Sequence, residues 1–220
     1  MSARQIPRRL LRMLKPRRKR TSVDPTSKLV IDSQARFEQG VIVVGPNSSL
    51  VIEAGAVNDS DITIGEHCEV TFGKDSRLIN TDFSVVNGSR VNIEAGAIIN
   101  SPVSPRSSVL VDNGTFRLGP RAHVMSTDLM VRFGGRLSIG SYTGIAYESE
   151  IRCEQQVEIG SYGMISYRVC IYDTNTHSTD WRERRQRTSS AGLRRAAQTC
   201  CGTNVQRSGW AHIAAHGSCA

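Results

Sequence analysis

Ile139-Gly140-Ser141-Tyr142 returns twenty residues later as Ile159-Gly160-Ser161-Tyr162, and the stretch between the two decides the fold. Taken every sixth residue, it places Ile139, Ile145, Ile151 and Val157 in one series; a two-residue offset opens a second at Ile159, Ile165 and Ile171. Positions six apart lie about 240° out of phase on a 3.6-residue helix, so the period excludes an amphipathic helix. Long alternating strands fit no better, because Gly and Ser recur between the apolar positions. A coil with three short sides does fit, each side turning one aliphatic residue inward. Three sides of six make about eighteen residues per turn, near the spacing of the repeated tetrapeptide.

Similar corners continue toward the N-terminus at Val44-Gly45, Ile64-Gly65 and Leu118-Gly119. Ile52-Glu53-Ala54-Gly55-Ala56 returns 41 residues later, two turns on, as Ile93-Glu94-Ala95-Gly96-Ala97. Glycine suits such corners because a positive φ costs it nothing. Aromatic residues make up only 5% of the 220-residue chain, which a narrow aliphatic interior requires.

These residues resemble the hexapeptide-repeat acyltransferases, most strongly over residues 118–177 and more loosely over 40–117, where Pro102 and Pro105 interrupt. The resemblance implies an all-β chain, a left-handed parallel β-helix solenoid whose turns stack only on their neighbours. We expect it over residues 26–186, between a basic segment at 1–25 and an irregular, low-order tail at 187–220. The competing fold is an antiparallel sandwich, for which Asn87-Gly88 and Asn113-Gly114 offer hairpin turns.

The second series predicts an inward aliphatic at position 177 and meets His177. This histidine closes Asp173-Thr174-Asn175-Thr176-His177, a segment similar to the Asp-x-(Asn/Asp)-x-His of many O-acetyltransferases of the family, whose histidine is the general base on the acceptor hydroxyl. The chemistry suits a neutral imidazole, with an ordinary pKa near 6.5, that takes a proton as a hydroxyl attacks a thioester. Asp173 and Asn175 share one face of an extended segment with His177. They are read as acceptor-binding or tautomer-fixing residues, or else as turn formers that end the last coil. Trp181-Arg182-Glu183-Arg184-Arg185 resembles the polar loop that follows the base in relatives, where Trp181 and Arg185 would face substrate; a solvated charged face is the other reading.

Charge divides the chain. Residues 1–20 hold nine Lys and Arg without an acid, residues 187–220 hold four Arg without an acid, and the stretch between carries a net −5. The overall +8 therefore belongs to the ends and does not indicate a nucleic-acid-binding face. Within the N-terminal segment, Ile6, Leu10, Met13 and Leu14 share a face if helical, before Lys15-Pro16 and Arg17-Arg18-Lys19-Arg20. Residues 4–20 would then make peripheral contact with an anionic membrane surface; a disordered basic tail is the alternative. No apolar run approaches the ~18 residues of a membrane span. No secretory signal is evident, so a cytoplasmic protein with reduced cysteines is expected, at the inner face of the membrane if the basic segment engages it.

The tail is unlike the rest. Three of the six cysteines, Cys200, Cys201 and Cys219, fall in it, and the period vanishes where relatives resume their coils. We read it as a frameshifted or truncated end, with a divergent extension as the competing account. His212 and His216 lie near these cysteines without a zinc-binding spacing, and no metal is expected.

The resemblance implies an O-acyltransferase moving acetyl from acetyl-CoA, as co-substrate, to a hydroxyl of a sugar or polysaccharide precursor. It implies a homotrimer, a carbohydrate acceptor and no nucleic acid; the residues holding the donor are not identified. Two other readings stand beside it, a bactofilin-like scaffold and an inactive, truncated acyltransferase. Sequencing through codon 186 in all frames separates the accounts of the tail. Another frame that resumes Ile-Gly corners supports the frameshift, and three frames without them refute it.

Overall fold

The computed structural model describes residues 20–101, 106–174 and 211–213, and all its strands pair in parallel. The strands form a three-faced solenoid, and the described residues contain no helix. The first face stacks β2 (Lys28–Ile31), β5 (Ser49–Ile52), β7 (Glu69–Phe72), β9 (Arg90–Ile93), β12 (Thr115–Leu118), β15 (Arg136–Ile139), β18 (Gln156–Ile159) and β21 (Ala211–Ile213). The second stacks β3 (Arg36–Gln39), the beginnings of β6 (Val57–Ile64) and β8 (Arg77–Val86), β10 (Ile98–Asn100), β13 (His123–Met125), β16 (Gly144–Ile145) and β19 (Met164–Ile165). The third stacks β1 (Arg20–Val23), β4 (Val41–Val44), the ends of β6 and β8, β11 (Ser107–Asp112), β14 (Asp128–Arg132), β17 (Glu150–Cys153) and β20 (Cys170–Tyr172). The antiparallel sandwich is thereby excluded. Asn87 and Gly88, at φ of 56° and 69°, turn a corner of the coil instead of a hairpin.

Register measures the turn. Lys28 pairs with Ser49, Ser49 with Glu69 and Glu69 with Arg90; further on, Thr115 pairs with Arg136 and Arg136 with Gln156. Most coils thus take 20 or 21 residues, and the step from β14 to β17 takes 22, where three strict hexads would take about eighteen, because the corners add residues. One coil is longer, with Arg90 pairing to Thr115. Arg106 bridges this coil to its predecessors, its guanidinium 2.8 Å from Asp61 and 2.7 Å from Asp82.

Inward side chains line up from coil to coil. On the third face Val44, Ile64, Val85, Val111, Val131 and Cys153 follow in register, each at most 2% exposed. On the first, Leu137 and Ile139 stack on Val157 and Ile159. Burying an aliphatic side chain of this size contributes about 1.5–3 kcal/mol, so these ladders are the core. Ile52 and Ile93 are two turns apart in one stack, with Phe72 between them, as the 41-residue repeat implies.

The Ile-Gly corners do not all share one edge. Gly45 and Gly65 leave the third face, whereas Gly119, Gly140 and Gly160 leave the first. At each edge successive coils approach closely. A Cβ on Gly140 would lie 2.6 Å from the carbonyl carbon of Gly160.

At one corner a polar side chain that turns inward is bonded to backbone. The Ser48 hydroxyl donates to the Gly65 carbonyl at 2.7 Å and accepts the Cys68 N–H at 2.9 Å. Cys68, fully buried, takes the next rung and donates its thiol to the Glu66 carbonyl at 3.2 Å. His67-Cys68 is thus a corner and a rung of the stack. Among the described residues Cys68 and Cys153 are free thiols.

Replacing Gly140 with Ala drives a methyl group into the backbone of the following coil. Stability should fall by about 1–3 kcal/mol, the usual cost of overpacking, measured as a lowered denaturant midpoint with an unchanged slope.

Candidate functional site

Continuation of the third face brings the chain to Asp173. β20 pairs with β17, placing Ile171 beside Ile151 and Tyr172 beside Arg152. One residue further, the ladder that ran through Val131 and Cys153 meets a carboxylate. Both oxygens of Asp173 are held by the preceding coil, Oδ1 by the Glu154 N–H at 2.8 Å and Oδ2 by the Gln155 N–H at 2.7 Å. The Cys153 thiol also faces it. Burial, and then the Asp173 charge, push that thiol's pKa up to about 12, so it stays protonated and unreactive. Thr174 extends the contact by donating its hydroxyl to Glu154 at 3.0 Å. Asp173 thus fixes the β17–β18 corner from the next coil, as a turn-capping carboxylate does.

A shallow cleft of about 330 Å³ opens beside Asp173, lined by Gly134, Arg136, Gln155 and Gln156 together with the aspartate. A guanidinium and two amides around such a cleft offer the hydrogen-bond donors that hydroxylated or anionic ligands require. The other residues read as substrate-facing or catalytic, Asn175, His177, Trp181 and Arg185, lie outside the described residues, as do residues 4–19 of the basic segment. The backbone position beside β18 on the first face is taken by β21, with Val157 paired to Ala211 and Ile159 to Ile213.

A polar cluster that the sequence reading missed covers the outside of the same coils. Glu150 accepts from the Arg152 Nε–H at 2.6 Å and from the Tyr172 hydroxyl at 2.5 Å, and the Arg152 guanidinium lies 5.2 Å from the centre of the Tyr172 ring. Burial, and then the hydrogen bond to Glu150, raise the Tyr172 pKa and hold the phenol neutral. Asp128, beside Glu150 on the neighbouring strand, has its carboxyl pKa raised by burial and by that second negative charge. The signal was available. Once a coil is known to take 20 to 22 residues, outward positions 128, 150 and 170 fall on one line and positions 130, 152 and 172 on the next, which sets Glu150, Arg152 and Tyr172 side by side.

The second face of these coils is flanked by exposed aromatics. Tyr142 stacks on Tyr162 with ring centres 5.2 Å apart, Tyr147 on Tyr167 at 6.2 Å, and Met164 lies between the pairs, 81% exposed. Among the described residues no group of three or more His, Cys, Asp and Glu is placed to hold a metal ion, and no helix is long and apolar enough to cross a membrane.

Compared with known proteins, the chain matches no protein-family model and no curated protein. Its parallel β-solenoid is compatible with the hexapeptide-repeat β-helix.

Replacing Asp173 with Ala leaves the Glu154 and Gln155 N–H groups without their acceptors. Hydrogen exchange at those two amides should accelerate, with a loss of about 1–3 kcal/mol in stability. Unchanged protection at both amides would show that the carboxylate does not hold the corner.

Proposed function

We propose that the chain is an O-acyltransferase that moves acetyl from acetyl-CoA to a hydroxyl of a sugar or polysaccharide precursor, with His177 as general base. One observation carries the reading. The Asp-x-Asn-x-His segment starts at the residue where the aliphatic ladder of a three-faced, hexad-patterned solenoid gives way to a carboxylate. With both oxygens engaged by the preceding coil, Asp173 serves as a positioning residue that anchors the segment. Asn175 binds the acceptor or fixes the imidazole tautomer, and Trp181 and Arg185 face substrate. The cleft beside Asp173, with Arg136, Gln155 and Gln156, suits a polyhydroxylated acceptor.

In this mechanism neutral His177 takes the acceptor's hydroxyl proton as the oxygen attacks the thioester carbon. The tetrahedral intermediate collapses, the carbon–sulfur bond breaks, and the imidazolium returns the proton to the leaving sulfur. No acyl-enzyme forms and no metal is needed. Base catalysis of this kind contributes about 10²–10⁴-fold. The working unit is a homotrimer with sites between copies, and the tyrosine-flanked face of the last coils suits burial against a neighbour. We place the enzyme in the cytoplasm, its basic N-terminal segment against the inner face of the membrane.

A second reading, a bactofilin-like scaffold, is favoured by β19 and β20, each of which, among the described residues, is paired on one side only. Electron microscopy separates the two, since filaments support the scaffold and compact particles of trimer size support the enzyme.

His177→Ala should lower acetyl transfer to a carbohydrate acceptor by about 10²–10⁴-fold and leave the circular dichroism spectrum unchanged. Full activity in this variant would overturn the assignment. Absence of transfer by the unaltered chain would favour the scaffold or an inactive relative.

A further inference from the structure

The first coil continues the inward columns without their burial. Leu29 heads the column of Leu50 and Val70, Ile31 that of Ile52 and Phe72, and Val23 that of Val44 and Ile64. The six residues of the next two coils are at most 4% exposed, whereas Ile31 is 41% exposed and Val23 and Leu29 are only half-buried. Ala35 is half-buried too, while Ala56, its counterpart one coil on, is buried. Among the described residues β1, β2 and β3 each pair on one side only, with β4, β5 and β6. An uncovered core end with three open strand edges is a liability, which solenoids meet with an atypical capping element.

The stretch immediately before β1 has the pattern of such an element. Within it Ile6, Leu10, Met13 and Leu14 keep the i, i+4, i+7, i+8 spacing of one helix face, with Arg8, Arg12 and Lys15 on the opposite side. Pro7 suits the first position of a helix, and Pro16 disfavours helix at Lys15, which leaves residues 7–14. Eight residues make about 12 Å of helix, and the four-residue strands that edge the first coil span about 13 Å each. The five residues from Lys15 to Lys19 reach about 17 Å, enough to lay that helix across the end from its tether at Arg20. A two-turn helix is marginal alone in water and needs an apolar surface to pack on.

We infer that residues 7–14 form a short helix that caps the N-terminal end of the solenoid, its Leu10, Met13 and Leu14 packed on Val23, Leu29, Ile31 and Ala35. The occupant is the chain's own segment because it is tethered within reach of this surface and matches it in length and apolarity. A second copy would have to bring two such ends together against the nine Lys and Arg that each carries in residues 1–20, and like charges repel. Arg8, Arg12 and Lys15 stay on the outer side. Membrane contact by this segment then rests on its basic face, the leucines being taken by the coil. The cap is independent of any acyltransferase activity.

The test compares residue-resolved hydrogen exchange of the full chain with that of two full-length variants, Leu10→Glu/Leu14→Glu and Arg8→Gln/Arg12→Gln. The reporters are the N–H groups of Asp24, Lys28, Asp32 and Arg36, which bond the first coil to carbonyls of the second at 2.7–2.9 Å. In the leucine variant these four should exchange at least about tenfold faster, because an uncapped first coil frays. Gly119 and Gly140, far along the stack, should keep their protection, and the arginine variant should keep protection throughout. Equal exchange at the four amides in the full chain and the leucine variant overturns the inference. So does equal acceleration in the arginine variant, which would make the contact one of charge. Acceleration when phosphatidylserine vesicles are added to the unaltered chain overturns it by giving the leucines to the bilayer. Acceleration on dilution overturns it by giving the end to a second copy.

Discussion

Each coil donates backbone N–H groups to the coil that follows it. Gly45 bonds to the Ile64 carbonyl, Gly65 to Val85, Gly73 to Ile93, Gly119 to Ile139 and Gly140 to Ile159, all at 2.7–2.8 Å. Other corners bond back to the preceding coil, His67 N–H to the Pro46 carbonyl and Tyr142 N–H to the Pro120 carbonyl. This two-way bonding, repeated at 20 or 21 residues, brings inward aliphatic side chains into columns and small residues to the edges. The fold depends on that spacing. In a solenoid each coil touches only its neighbours, so a side chain that breaks a column is felt by the two coils beside it and scarcely elsewhere. Gly140 and Asp173 are two such local events, one steric, one at the end of a column.

Part of this was legible in the sequence. From Ile139 to Ile171 apolar residues recur at fixed intervals and two tetrapeptides are identical, so the stacked coils could be read directly. The 41-residue repeat correctly placed Ile52 and Ile93 two turns apart. Exact turn length was not legible, because the corners carry residues that a hexad count omits. Nor could the edges be told apart, since a glycine after an aliphatic residue looks the same whichever face it leaves. The long coil between Arg90 and Thr115 broke the count where Pro102 and Pro105 stand.

The candidate site was legible in its chemistry and not in its support. Asp173 stood out as the start of a motif, but its hold on the Glu154 and Gln155 N–H groups depends on a residue nineteen or eighteen positions away. The Glu150–Arg152–Tyr172 cluster likewise exists only when the coils are stacked. Chemistry at a solenoid end is local for the same reason that packing is.

Residue-resolved hydrogen exchange of the full chain tests the stacked-coil account most directly. The account predicts slow exchange in every described coil from Asp24 onward, with protected amides spaced one turn apart, as Gly45 and Gly65 are on one edge and Gly119 and Gly140 on another. Protection confined to residues 118–173, with rapid exchange at Gly45, Gly65 and Gly73, would contradict it.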